Sequence, residues 1–137
     1  MALQHEFFIS TDDNMSFDDA IHKCILSDYL IHYMWDTMKW ISTLSYKNVD
    51  QMGFNYDGIN IIQGQGLKHF NDVLNSWYNI FSLAPTFFKL KSEYCITDET
   101  YVYQEIERES LLNEISNLIK LLQKAIKVDQ KVVYFGV

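Results

Sequence analysis

The sequence is poor in the residues that carry most recognisable chemistry. Its 137 residues include one proline, two cysteines and one arginine, Arg108. It contains no HExxH, no GxSxG and no complete GxGxxG, so metalloprotease, serine hydrolase and dinucleotide sites lack their usual signatures. The four histidines are scattered and have no cysteine partners, so they form no zinc-ligand pattern. The sequence therefore predicts a protein that is not an enzyme and holds neither metal nor cofactor.

Positive charge is also scarce. Eighteen acidic residues oppose 11 basic ones, for a formal charge of −7. Nucleic-acid binding normally needs a basic patch with arginines that grip phosphates or bases, and this composition argues against it. An acidic surface instead favours a basic protein partner, because complementary potentials steer the encounter.

Long apolar runs are missing as well. No run approaches the roughly 18 residues that a membrane span requires, and the first residues lack the basic and apolar regions of a signal peptide. Cys24 and Cys95 match no metal or redox spacing, and Cys24 lies among apolar residues, where a free thiol acts as a small hydrophobe. We expect a cytoplasmic protein in a reducing compartment.

What the sequence does have is a large apolar content, 48% hydrophobic and 15% aromatic residues. This composition predicts a single globular domain over residues 1–137. Helical periodicity predicts a helix-rich α+β fold with three main helices, at about 16–46, 67–84 and 108–128. The first is apolar over most of its circumference, which is typical of a central helix that other elements surround.

Strands are predicted between and beyond these helices. Residues 86–107 have strand-like composition around a polar turn and predict a β-hairpin; an extension of the last helix back to Tyr101 is the alternative. Short strands are predicted near the termini, at 6–10 and 131–137, with turn residues at 11–14. Asp57–Gly58 suggests a smaller hairpin over 54–61. The glycines of 63–66 favour a turn over a phosphate cradle, since GxG alone is a weak signal.

One group of residues suggests chemistry. Asp28, His32 and Asp36 recur every four residues and would share one face of the first predicted helix, where they could contribute to a divalent metal site. The favoured interpretation is a polar face in which Lys39 pairs with Asp36.

The aromatic residues give a better functional clue. Nine tyrosines, nine phenylalanines and three tryptophans exceed what a core of this size needs, and tyrosine and tryptophan are preferred interface anchors. Tyrosines alternate with carboxylates most densely over 93–105; an ordinary half-buried hairpin with a solvated tip is the competing interpretation. The predicted partner-binding residues are Tyr56, Asp57, Glu93, Tyr94, Asp98, Glu99, Tyr101, Tyr103 and Glu105.

The assembled features resemble those of a known group of proteins. A lysine-ended helix followed by the strand at 131–137, and a helix at 67–85 running into a hairpin, are similar to small bacterial immunity proteins of polymorphic-toxin systems, including contact-dependent growth inhibition. The resemblance is general and depends on no single motif. It implies stoichiometric binding and occlusion of a cognate toxin domain, often a basic nuclease.

Two other functions are alternatives. A regulatory or structural homodimer could bury the excess aromatic residues of the first predicted helix. A small ligand- or metal-binding enzyme would need a pocket around His32 or Gly64.

Overall fold

The computed structural model describes residues 4–10 and 16–136, except the side chains of residues 92 and 93. The chain contains eight strands and four helices among the described residues. Their order is β1 (Gln4–Ser10), β2 (Lys23–Ser27), α1 (Asp28–Tyr33), α2 (Trp35–Met38), β3 (Ser42–Ser45), β4 (Asp50–Met52), β5 (Ile59–Ile62), α3 (Gln65–Phe81), β6 (Phe87–Cys95), β7 (Thr100–Glu107), α4 (Arg108–Lys127) and β8 (Lys131–Phe135).

The strands form two antiparallel sheets. One sheet has six strands in the order β2-β1-β8-β5-β3-β4, and the other is the two-stranded pair β6-β7. The predicted terminal strands are confirmed as β1 and β8, and they pair with each other next to the centre of the larger sheet. The turn predicted at 11–14 lies outside the described residues. Two strands distant in sequence therefore hold the sheet together.

Strand alternation divides the larger sheet into two faces. Phe7 and Ile9 of β1, with Val132 and Tyr134 of β8, belong to the main core, together with the apolar sides of α3 and α4. Phe8 and Val133 point the other way, where Phe17 and Ala20 pack on them. The two long helices thus cover one face, and the segment before β2 contributes to covering the other.

The helices predicted at 67–84 and 108–128 are confirmed as α3 and α4, with small shifts at their ends. Each helix buries its apolar side and exposes its polar side, as the periodicity indicated. The buried residues of α3 are Gly66, Leu67, Phe70, Val73, Leu74, Trp77 and Phe81, and those of α4 are Leu111, Leu112, Ile115, Leu118, Leu121, Leu122 and Ala125.

The helix-rich architecture with three main helices was wrong. Residues 16–46 do not form one helix but contain β2, the short helices α1 and α2, and β3. Strands and helices occupy similar lengths of chain. The cause is that apolar residues over most of the circumference suit any element packed on two sides, so periodicity cannot distinguish a long buried helix from short strands and turns. Pairing of β2 with β1, and of β3 with β4 and β5, decides the structure.

The small hairpin predicted over 54–61 was also wrong. Only Ile59–Ile62 is a strand, and it pairs with β3 and β8. A type I′ turn needs positive φ at both central residues, and Gly58 is not among the glycines with positive φ. The buried side chain of Asn60 instead accepts a hydrogen bond from the Asn55 backbone N–H at 2.7 Å. A side-chain bond of this kind replaces the expected strand pairing.

The glycines of 63–66 serve the entry into α3. Gly64 has φ +55°, in the left-handed region that glycine adopts readily. A Cβ added to Gly66 would overlap the backbone carbonyl oxygen of Ser42. The first turn of α3 therefore lies against β3 at a distance that only glycine permits.

Gly66→Ala should destabilise the fold, because the added methyl group meets backbone rather than a movable side chain. We expect the free energy of unfolding to fall by about 1–3 kcal/mol, the usual range for overpacking. Urea denaturation would measure it. Gln65→Ala, at the exposed neighbouring position, should change it by less than about 0.5 kcal/mol; equal effects of the two substitutions would contradict the close contact.

Candidate protein-binding site

The predicted hairpin at 86–107 is confirmed. β6 and β7 pair from Phe87 opposite Glu107 to Cys95 opposite Thr100. Residues 101–107 are therefore strand, and the helical extension to Tyr101 was wrong. Glu99, in the connecting turn, has φ +52°. We call residues 87–107 the hairpin arm.

The base of the hairpin arm is fixed to the body. Leu90 and Ile106 are buried in the main core, and the ring of Phe88 stacks on that of Phe81 with centroids 6.1 Å apart. Arg108, which follows the arm, donates from its guanidinium to the backbone oxygen of Ala84 at 2.9 Å. Core packing and this charged hydrogen bond hold the base in position.

The outer part of the arm is exposed on both faces. Every residue from Thr100 to Glu105 is exposed, and Ile96 and Val102 are 85% and 51% accessible. A half-buried hairpin would alternate between buried and exposed residues, but burial in β7 is confined to Ile106. The arm therefore extends beyond the core that anchors it.

Cross-strand contacts stabilise this outer part. The rings of Tyr94 and Tyr101 meet edge to face with centroids 5.1 Å apart. The Lys91 ammonium lies 3.7 Å from the Tyr101 ring centroid. Isolated two-stranded hairpins are marginal in water, and aromatic and cation–π pairs of this type contribute about 0.5–1.5 kcal/mol each.

The strand register puts four of the nine predicted residues on one face of the arm. Tyr101, Tyr103 and Glu105 alternate with Val102 and Gln104, so they point to the same side. Tyr94 lies opposite Tyr101 and shares that side. We call this set of four residues, Tyr94, Tyr101, Tyr103 and Glu105, the tyrosine face.

Two lysines that sequence reasoning left out also lie on this side. Lys89 is opposite Glu105 and Lys91 is opposite Tyr103. In a predicted hairpin, every second residue of each strand lies on the same side, and applying this rule to both strands could have found Lys89 and Lys91. Two acidic residues of the arm, Asp98 and Glu99, lie in the exposed turn at its tip. Glu93 lies in β6, within the irregular stretch between Lys91 and Tyr94.

Tyr56 and Asp57 belong to another part of the molecule. They lie in the loop before β5, and Asp57 is exposed. The Tyr56 hydroxyl donates to the carboxylate of Asp28, the first residue of α1. The structure thus gathers seven of the nine predicted residues on the hairpin arm and separates these two from it.

A buried polar network beside Tyr56 was missed by sequence reasoning. His5 has no accessible surface; its Nε2 lies 2.7 Å from Asp28 Oδ1, and its Nδ1 lies 2.7 Å from the Tyr134 hydroxyl. The network ties β1, α1 and β8 together. The alternation of His5 with Phe7 and Ile9 was the available signal, since it puts the histidine on the face that is buried.

Burial sets the protonation of this network. Loss of hydration lowers the pKa of His5 below its ordinary 6.5, and the hydrogen bond that His5 donates to Asp28 only partly opposes this. Burial also raises the pKa of the Tyr134 hydroxyl, which stays protonated. We infer that neutral His5 donates from Nε2 to Asp28 and accepts from Tyr134 at Nδ1.

The stripe of Asp28, His32 and Asp36 does not form on one helix. α1 ends at Tyr33 and α2 begins at Trp35. Asp28 pairs with His5, while Asp36 accepts from Lys39 at 3.1 Å, the pairing that the sequence favoured. Across residues 4–10 and 16–136 no cluster of three or more potential ligands is arranged to hold a metal ion.

Cys24 has no activated thiol. Burial raises its pKa to about 12, with a smaller contribution from Glu114. Only the thiolate is strongly nucleophilic. Cys24 therefore contributes to packing, as its apolar sequence context indicated.

Comparison with known proteins returns no relative. No family model, no curated protein and no solved structure matches this chain. Among the described residues, no helix has both the length and the apolar character needed to cross a bilayer. The fold defines the class: an α+β protein with a six-stranded antiparallel sheet and a separate hairpin arm.

The His5 network predicts a pH dependence of stability. Because the folded-state pKa of His5 lies below its unfolded value, the unfolded chain binds more protons as the pH falls below about 6.5. The free energy of unfolding should then decrease, by at most about 1.4 kcal/mol per pH unit from this group.

Urea denaturation at several pH values would measure this contribution. His5→Gln, which keeps a donor and an acceptor, should lower stability yet flatten its dependence on pH around 6. The matched control is His69→Gln at an exposed position of α3, which should keep the wild-type profile. If the free energy of unfolding of His5→Gln changed with pH as steeply as that of the wild type, the role assigned to His5 would be contradicted.

Proposed function

We propose that this protein works by binding another protein through its hairpin arm, and that it is an immunity protein that occludes a cognate toxin domain. In this role it acts stoichiometrically and without chemistry of its own. Its place is the cytoplasm, where the toxin would act.

The observation that carries the proposal is the exposure of large side chains on an anchored strand pair. Tyr94, Tyr101 and Tyr103 are 51%, 42% and 53% accessible. Contact between their apolar rings and water is unfavourable. A paired β-ribbon restricts the backbone, so little conformational entropy is lost when these rings become buried against a partner. Tyrosines on a rigid support are typical hot-spot residues.

The charge distribution supports a basic partner. Asp98 and Glu99 put two carboxylates at the exposed tip of the arm, on a chain of net charge −7. Carboxylates in such a position can pair with the lysines and arginines with which a nuclease binds phosphates. The tip would steer the encounter, and the tyrosine face would supply the buried contact.

The homodimer alternative has lost its original basis, because the aromatic-rich first helix does not form. A homodimer could still form through the exposed edges of the hairpin arm, and this form of the alternative needs a test. Light scattering of the purified chain distinguishes it from toxin binding: a homodimer persists without any second protein.

Replacing two tyrosines of the tyrosine face should weaken partner binding strongly. The wild-type chain would be used to capture proteins from its native cell and, separately, be co-expressed with the product of the neighbouring gene. We expect Tyr101→Ser with Tyr103→Ser to weaken binding of the captured toxin by 30-fold or more, about 2 kcal/mol, and to remove protection against it.

Tyr46→Ser is the matched control, since Tyr46 is 70% accessible in the β3–β4 turn, away from the hairpin arm. It should bind like wild type. The proposal fails if the wild type binds no toxin domain, or if both variants bind equally well.

Charge reversal at the tip should act on the rate of association. Asp98→Lys with Glu99→Lys should slow association with a basic toxin domain about tenfold at low salt and leave dissociation nearly unchanged, because rim charges act mainly through steering. Stopped-flow measurements over a series of salt concentrations would test this. Asp18→Lys with Asp19→Lys, an exposed acidic pair in the segment before β2, changes the net charge by the same amount and serves as the control. An equal slowing in both variants would mean that only net charge matters.

A further inference from the structure

A cavity of about 440 Å³ opens beside the His5 network, and its described lining residues lie outside the hairpin arm. It is formed by α1, α2 and the loop before β5. Its lining residues are His32, Tyr33, Trp35, Asp36 and Tyr56. Three aromatic rings, one imidazole and one carboxylate therefore meet in a single open space.

Two of these rings form a corner. The Trp35 and Tyr56 rings have centroids 5.2 Å apart and planes at 77° to each other. Tyr33 approaches from α1 and is itself 50% accessible. Aromatic rings carry negative charge on their faces, and perpendicular rings around one space are the arrangement that attracts ammonium and guanidinium groups.

Hydrogen bonding makes the Tyr56 ring richer in electrons. Its hydroxyl donates to Asp28, whose Oδ1 is also 2.7 Å from Nε2 of His5. A phenol that donates to a carboxylate acquires some phenolate character, which strengthens the negative potential of its ring. The buried network thus both orients Tyr56 and increases its attraction for a cation.

Asp36 gives the rim a formal negative charge. Its side chain is 90% accessible and accepts from Lys39, itself 60% accessible, at 3.1 Å. Exposed pairs of this type contribute little, about 0–1 kcal/mol. A ligand cation can therefore replace the Lys39 ammonium at low cost.

We propose that this cavity binds an organic cation, with the Trp35 and Tyr56 rings as walls and Asp36 as the counter-charge. Asp28 acts through Tyr56 and does not touch the ligand. Because the described lining residues do not belong to the hairpin arm, the site can be tested without any partner protein.

The test uses tetramethylammonium chloride as the probe and ligand-observed proton NMR as the readout. Ring currents should shift the methyl resonance upfield and saturably on titration with the intact protein. The control probe, tert-butanol, has similar size but no charge. We expect it to bind at least about fivefold more weakly, corresponding to the cation–π and charge contributions.

Variants locate the site. Trp35→Leu should remove the upfield shift, whereas Trp40→Leu, at a 57% accessible tryptophan outside the cavity lining, should leave it unchanged. Asp36→Asn should weaken binding about threefold, and Lys39→Met should strengthen it by about twofold. Since the Asp36 and Lys39 side chains are exposed, these two variants test the site without disturbing the core.

A second experiment identifies the source of the cation. The tripeptide acetyl-Gly-Lys-Gly-amide would be compared with its glutamine analogue. Tighter binding of the lysine peptide than of tetramethylammonium supports a basic side chain of a partner, and the reverse order supports a free small molecule. Equal binding of tert-butanol, no saturable binding of either cation, or unchanged binding in both Trp35→Leu and Asp36→Asn would overturn the proposal.

Discussion

The pairing of β1 with β8 is the contact on which the rest of the structure depends. It joins residues 6–10 to residues 131–135 and brings the two halves of the larger sheet together. Hydrogen bonds between strands so distant in sequence form only after a large loss of chain entropy. Burial of Phe7, Phe8 and Tyr134 at this seam offsets that loss. The network of His5, Asp28 and Tyr134 then links α1 to the same seam.

Sequence periodicity identified the elements that have one apolar side and one polar side. α3 and α4 each have one apolar stripe, and the hairpin arm has a clear turn, so local pattern and final structure agree there. Between residues 16 and 46 most of the circumference of the predicted helix is apolar, and the local pattern contains no information about which partners surround this segment. There the structure is determined by sheet pairing with residues far along the chain, which one sequence does not reveal.

The sequence likewise predicts one part of the candidate site and not the other. Tyrosines and carboxylates within one hairpin could be grouped from the sequence because strand alternation is local. Tyr56 could be selected as an aromatic anchor, but its connection to Asp28 and His5 joins three separate segments. The cavity beside it, with Trp35 and Asp36, likewise exists only in the folded chain. Two distinct surfaces result: an exposed strand pair suited to a protein and a cavity suited to a cation.

The irregular pairing between Lys91 and Tyr94 has a consequence for solubility. Free strand edges invite pairing with other copies, and proteins counter this with lysines and bulges on such strands. Lys89, Lys91 and the interrupted register occur together in β6, the strand that carries the base of the arm. They disfavour the pairing of one hairpin with another, so the exposed tyrosine face is less prone to aggregation.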